Sequence, residues 1–319
     1  MDDTGLEPAA ATAVNQCLRL SPDETCLIVT DDDRLAIAEA LYGAAAETGA
    51  TVTQLRYEPG AEHGAEPPVP TGTAMAAVDA FLAPTSKSIS HTRARQAACE
   101  AGARGATLPG ITEDVFVTGL AADYDSIRSA CERLETRLDG VSSVRVTTPA
   151  GTDVTFDVGT REWRSDTGLI HEPGAFSNLP AGEVFISPAA ATGTYVVDGT
   201  MRPYGLLDPG QRITITVEDG YATDIDDDRV RESFERAAES VGRDAYNVAE
   251  LGIGTNLGVT DLSGSVLLDE KAAGTVHIAL GDDASIGGDT DAPIHADGVL
   301  RSPTVYVDGA ELQLPGSTT

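Results

Sequence analysis

The sequence predicts an α/β protein, with a parallel-sheet α/β domain over residues 1–120 followed by a strand-rich α+β domain over residues 121–319. Three observations lead there. The chain has 319 residues, longer than one compact core usually allows, which favours two domains. Up to about residue 110, short apolar runs alternate with stretches of helical period. Beyond that, segment after segment reads as a strand closed by a turn, with helices only at about 123–138 and 227–241.

In the first part, after a short helical lead, TCLIVT (25–30) reads as a buried strand. DDDRLAIAEALYGAAAETG follows with helical periodicity, an acidic start and a Gly stop. TVTQLRY is the next strand, so strand, helix and strand succeed one another as in a βαβ unit. EPGAEHGAEPPVPTG (58–72) is a Pro/Gly-rich loop. A helix near 73–80, the apolar segment AVDAFLAP, the helix HTRARQAACEAGA and the strand RGATLPG continue the alternation. In the second part, SVRVTTPAG, TDVTFDVG, GEVFISP, GTYVVDG and QRITITVEDG read as strands. Ile213, Ile215 and Val217 alternate with polar residues, so one face of their strand is buried.

Charge narrows the function. There are 51 Asp+Glu against 21 Lys+Arg, a net charge of -30, and Lys87 and Lys271 are the only lysines. The acids are spread through periodic, Val/Ile/Leu-bearing segments, as expected of a folded, salt-adapted (halophilic) surface on which screening removes most self-repulsion. No basic patch beyond HTRAR exists to release counterions from nucleic acid, so no nucleic-acid partner is expected. No apolar run approaches a membrane span, and MDDTGLEPAA has neither the basic start nor the apolar stretch of a secretion signal. The expectation is a soluble cytoplasmic protein with no membrane partner. Cys17, Cys26, Cys99 and Cys131 form no CxxC pair and read as reduced, buried thiols.

The chemistry lies in the last third. Of five histidines, His277 (GTVHIALG) and His295 (PIHADG) lie close together, and Asp297 follows His295 by two. In a strand, residues i and i+2 face the same way, so His295 and Asp297 present a nitrogen and a carboxylate to one point. With His277 they make a workable divalent-metal set and have the composition of a two-His, one-carboxylate triad. A histidine in an apolar strand can equally be a satisfied core residue. Glu183 (NLPAGEVFISP) and Glu250 (NVAELGIGTN) sit in apolar strands where a lone ionised group is costly, although each alone could be a strand-edge residue facing water. Glu270 and Lys271, in LLDEKAAG, fit an exposed ion-pairing stretch as well as an active site. GIGTN lacks the Lys-Ser/Thr of a phosphate loop, and its glycines are expected to turn the backbone beside the site.

NLPAGEVFISP, AELGIGTN, GTVHIALG and IHADG, in that order, resemble the aminopeptidase T-like metallopeptidases (leucyl aminopeptidase type), and TSKSISHTRARQAACEAGARGATLPGIT fits that family's N-terminal half. The resemblance implies a homodimer with two divalent ions (Zn, Co or Mn). Its metal ligands would be Glu183, Glu250, His277, His295 and Asp297. One position departs: the peptidases carry a tyrosine ligand seven residues after the first histidine, where this chain has Ala284 in GDDASIGG; Asp282 or Asp283 could supply an oxygen instead, although a solvated turn is the expected role of both. The His277–His295 interval is also shorter than in the longer peptidases.

The resemblance thus implies a metallo-aminopeptidase acting on peptides, in which the ions activate a water and Glu250 serves as catalytic base. The alternative it carries is an Fe(II)-dependent, ring-opening dioxygenase of the dihydroxypyridine type acting on a small aromatic molecule. That enzyme needs one iron held by two histidines and an aspartate, a need that His277, His295 and Asp297 meet. His171, shortly before Glu183, is a further contact to the site or an exposed loop residue. His91 is expected near a helix start, His63 in solvent, Trp163 as a packing anchor, and Asp198 and Asp308 in hairpin turns.

Overall fold

The computed structural model describes residues 5–316, a mixed α/β architecture with one parallel and two antiparallel sheets. Contacts divide it into two units: one reaches Arg128 and includes Asp166–Ala181, and the other comprises Ser129–Ser165 and the chain from Gly182. The boundary read near residue 120 left 121–128 and 166–181 with the second part. The later segment crosses over because its strand Phe176–Asn178 pairs in parallel with Arg104–Pro109. Three residues carry no readable period, and only the pairing defines that strand.

The first unit holds a five-stranded parallel sheet in the order Thr51–Arg56, Thr25–Thr30, Ala80–Thr85, Arg104–Pro109, Phe176–Asn178. The first four are the strands of the alternation read from sequence. Burial on both faces of the central strands explains their unbroken apolar runs: Cys26–Val29 and Ala80–Ala83 are wholly enclosed. One side of the core gathers Leu27, Val29, Met75, Phe81, Ile89 and Ala98. Two helices differ from the sequence reading. The helix expected near 73–80 is Val69–Met75, started early by the prolines at its first turn. Glu113–Gly119, capped by Thr112, is too short to show a full amphipathic pattern. The four cysteines are free thiols, and burial pushes Cys26 up to about 12.

The second unit holds two seven-stranded antiparallel sheets. In one, Ile213, Ile215 and Val217 point inward and alternate with less buried residues, as read. The other runs Gly205–Leu206, Thr200–Met201, His295–Leu300, Val276–Gly281, Val248–Gly254, Glu183–Ile186, Arg164–Asp166. The sheets meet where Gly298 lies under Val197: a Cβ on Gly298 would come within 2.5 Å of that side chain. Helix Asp228–Val241 begins where the sequence placed it, with Asp227 accepting from the Val230 amide at 3.0 Å. Among the described residues no helix is long and apolar enough to cross a membrane.

One ion pair ties the parallel sheet to the preceding segment. Arg104 donates to both carboxylate oxygens of Glu24 at 2.5 and 2.9 Å and to the Leu18 carbonyl at 3.1 Å. The guanidinium is 8% exposed and Glu24 is 24% exposed. Hydrogen bonding from Arg104, opposed by partial burial and helped by the Ser21 amide, lowers the Glu24 carboxyl from 4.5 to about 2. A depressed carboxyl stabilises the fold fully above its unfolded value, so this contribution is complete above pH 4.5 and lost as pH falls towards 2. Discounted for exposure, Glu24→Gln is expected to cost about 1–2 kcal/mol at neutral pH. Urea midpoints of the two proteins should differ at pH 7 and converge as pH drops through this window.

Candidate metal centre

The sheet carrying His277 has two faces of opposite chemistry. Along its four site strands Gly254 pairs with Glu183 and Gly252 with Phe185, then Glu250 with Ala279 and Gly252 with His277, then Ala279 with Asp297 and Gly281 with His295. Paired residues in an antiparallel ladder share a face. Glu183, Glu250, His277, His295 and Asp297 therefore stand on one side, and Val184, Ile186, Leu251, Ile253, Ile278, Leu280 and Leu300 on the other. A bulge interrupts the ladder between Val248 and Glu250, a device that re-aims a strand beside functional residues.

Glycine and alanine interleave the ionisable groups for a steric reason. A Cβ on Gly252 would overlap the His277 imidazole, and one on Gly254 would run into the Lys271–Ala272 backbone. The glycines of GIGTN thus open space above an extended strand and do not turn it, correcting the sequence expectation.

Glu250 is the hinge of the cluster. One of its carboxylate oxygens lies 3.3 Å from His277 Nε2 and the other 3.3 Å from His295 Nε2. His277 Nε2 is also 3.3 Å from Glu183 Oε2, and His295 Nε2 is 3.4 Å from Asp297 Oδ1. Among the described residues, two groups can each converge on an ion: Glu183, Glu250 and His277; and Glu250, His295 and Asp297. The five sequence-singled residues come together, but through Glu250, with His277 and Asp297 in different groups. His295 Nδ1 lies 2.7 Å from the Asp282 carbonyl. With an ion bound, donation there would leave Nε2 to face it with its lone pair.

Burial pulls against every charge. It works to lower His277, yet the Glu250 hydrogen bond and the surrounding carboxylates raise that imidazole to about 9. His295 is likewise driven up against burial, by Asp297 and Glu250. Burial opposes the ionised form of Glu250, but hydrogen bonds from both histidines hold it low; Asp297 is held low against burial by His295. For Glu183 burial prevails, with Lys271 and His277 pulling back. The set therefore gathers several carboxylate and imidazole donors in one place. Glu183 Oε2 and His277 Nδ1 are buried without a hydrogen bond. Carboxylate oxygens with imidazole nitrogens suit a divalent transition metal, so the residues fit such an ion.

The sequence left Lys271 and Glu270 undecided between surface and site, and the structure buries both at the cluster. Lys271 Nζ lies 2.5 Å from Glu183 Oε1 and 2.7 Å from Glu270 Oε1. A lysine retained in a chain with only two was the available signal. The substitutes weighed for the tyrosine position lie elsewhere. Asp283 accepts from Ser187 Oγ at 2.9 Å, Asn247 Nδ2 at 3.0 Å and the Thr290 amide at 2.7 Å, which closes the loop around Ala284. The Asp282 side chain accepts from the Ala292 amide. His171 stands in the first unit, bonded to the Gln16 carbonyl at 2.8 Å, and His63 accepts from the Ser88 amide. Asp308 occupies a left-handed turn at φ 46 and accepts from the Ser142 and Ser143 amides.

A mixed α/β fold carrying an enclosed carboxylate–imidazole cluster defines a protein of metalloenzyme type. The chain belongs to the 2,5-dihydroxypyridine 5,6-dioxygenase (NicX) family, whose model matches residues 8–318. A curated relative, the 2,5-dihydroxypyridine 5,6-dioxygenase of Pseudomonas putida (strain KT2440), is 26% identical over 198 residues, covering 57% of this chain and 55% of that protein. The chain thus spans about half the length of this relative. Among solved structures, 2,5-dihydroxypyridine dioxygenase from Pseudomonas putida KT2440 matches with a TM-score of 0.80 at 19% identity, over 100% of this chain and 98% of that one. Wild-type AmpT from Thermus thermophilus matches with a TM-score of 0.68 at 18% identity, over 97% and 96%. The aminopeptidase T-like resemblance is thereby retained as a likeness of fold, while family membership lies with the dioxygenases.

Gly252→Ala is expected to displace the His277 ring. Overpacking of this kind costs about 1–3 kcal/mol, and metal retained after gel filtration should fall while far-ultraviolet circular dichroism is preserved.

Proposed function

We propose that this protein is a metal-dependent dioxygenase opening a dihydroxylated nitrogen heteroaromatic ring, with Fe(II) as its metal. The observation that carries this reading is that His277, His295 and Asp297 stand on one face of adjacent strands, with both imidazoles against the shared carboxylate of Glu250, in a chain of the dioxygenase family. A two-histidine, one-carboxylate set with open positions is the ligand arrangement of non-haem Fe(II) oxygenases. When bound, such an ion supplies the one-electron chemistry that allows oxygen to react with an electron-rich ring.

The remaining work belongs to side chains. The Asp282 carbonyl fixes the His295 ring, and Glu250 aligns both imidazoles from between them. His295 keeps 32% of its side-chain exposure while His277 keeps 1%, so substrate reaches the His295 and Asp297 side. Phe185, half-buried and paired with Gly252, supplies an aromatic wall on the same face. Glu250, read from sequence both as a metal ligand and as a catalytic base, is assigned in this reading to orienting the two imidazoles, each 3.3 Å from one of its oxygens.

A second reading, metal-dependent aminopeptidase action, is favoured by one feature: the Glu183, Glu250 and His277 group could hold a second ion with Glu250 shared between the two. Two ions and a bridging water would suit hydrolysis.

Protein loaded anaerobically with Fe(II) is expected to consume oxygen in step with loss of the ring absorbance of 2,5-dihydroxypyridine. Asp297→Ala and His295→Ala should lower that rate by far more than the roughly 10–100-fold typical of losing an outer partner of a metal ligand. Amino acid release from aminoacyl-amides without oxygen uptake would replace this reading with the second.

A further inference from the structure

Beyond the cluster, the same face of the sheet runs into a cavity of about 500 Å³. Strand Glu183–Ile186 leads there: Glu183 and Phe185 lie on the cluster's face, and Ser187, the next residue in that alternation, forms part of the cavity wall. Leu251 pairs with Ile186, so Ser187 stands beside the register position of Glu250, about 5 Å across the ladder. A substituted six-membered ring set against the cluster therefore reaches the cavity with its substituent.

Two guanidiniums rim this cavity. Arg161 and Arg164 come from the segment entering strand Arg164–Asp166, the neighbour of Glu183–Ile186 in the sheet. Arg161 donates to the Gly287 carbonyl and, at 2.8 Å, to Asp289. Its side chain is 26% exposed while Asp289 is 90% exposed, so the pair is of the solvent-screened kind that contributes little. Arg164 makes one long contact, 3.4 Å to the Ser285 carbonyl, and pairs with no carboxylate among the described residues. The loop is bare where this guanidinium lies against it: a Cβ on Gly287 would come within 3.0 Å of Arg164. Glu162, the other acid at the rim, is exposed and can turn to water. A chain with a net charge of -30 repels anions over most of its surface, so the place that can hold one is where cations converge and one is left unpaired. A guanidinium fork matches a carboxylate through two parallel hydrogen bonds.

We propose that Arg161 and Arg164 form a carboxylate-recognising subsite beside the cluster, so that the ring this protein opens carries a carboxylate substituent. This rests on the dioxygenase reading and narrows its substrate class. Arg164 takes the carboxylate as a bidentate pair, and Arg161 exchanges its solvent-exposed Asp289 partner for it. The carboxylate fixes the orientation of the ring and takes no part in the bond-breaking.

Titration calorimetry on Fe(II)-loaded protein kept free of oxygen measures binding without turnover. The ligands are the 3- and 4-carboxylates of 2,5-dihydroxypyridine, the matching neutral carboxamides and the plain ring. At least one carboxylate is expected to bind about 10–100-fold more tightly than its carboxamide, the factor for hydrogen bonds to a charged group. Arg164→Gln should bring that ratio close to one, Arg161→Gln should lower it, and Arg164→Lys should keep part of it. Equal binding of carboxylates and carboxamides by the wild type would overturn the subsite whether or not any variant folds, and so would a preference that survives in folded Arg164→Gln. Arg164-dependent binding confined to the ring-opened acid would also overturn it, by assigning the arginines to the product. Oxygen uptake with plain 2,5-dihydroxypyridine separates the two readings. If uptake occurs and the carboxylate preference is absent, the subsite falls and the dioxygenase reading stands; if no ring binds and no oxygen is consumed, both fall.

Discussion

Everything at the centre depends on crowding ionisable groups onto one face of a sheet whose other face is a hydrocarbon core. Isolated, any one of Glu183, Glu250, His277 or Lys271 would be expelled by the desolvation cost of its charge. Together they are mutually necessary: both imidazoles hold the Glu250 carboxyl low, and the carboxylates around them push both imidazoles up against burial. The sheet permits this because small residues stand between the long ones. Gly252, Gly254, Ala279 and Gly281 give each polar side chain a floor to lie on. Antiparallel pairing then sets the spacing, since neighbours across a ladder are close enough for their side-chain ends to touch.

How much of this was legible in the sequence follows from the range of each interaction. The βαβ alternation was readable because the buried strands Thr25–Thr30 and Ala80–Thr85 are continuous apolar runs, a local property. Strand Phe176–Asn178 was not, because it exists by pairing with a partner some seventy residues earlier. Rarity and alternation singled out His277, His295 and Asp297 but left core and strand-edge roles open, and the five residues Glu183, Glu250, His277, His295 and Asp297 as one set followed from the resemblance to the metallopeptidases. Their division into two groups around Glu250 could not be read, because it depends on which ladder positions lie opposite one another.

Lys271 and Asp283 mark the limit from both sides. LLDEKAAG carries the charge pattern of a solvent-facing stretch, and no local rule separates it from one. Its burial arises from Gly254, seventeen residues earlier, and from the anchoring of Asp269. Asp283, beside the position of the missing tyrosine, read as a solvated turn residue or a substitute donor, yet it is buried. It is instead consumed by its loop, where Ser187, Asn247 and Thr290 converge on one carboxylate.

The loop that Asp283 closes also carries the Asp282 carbonyl against which His295 is set. Closure and ligand orientation are thus covalently linked through one peptide unit. The thirteen-residue interval between Asp282 and His295 behaves as a gauge: lengthening or shortening it would rotate an imidazole without touching any residue of the cluster. Divergence in the chemistry of this architecture can therefore be written in loop length, far more cheaply than in the ligands themselves.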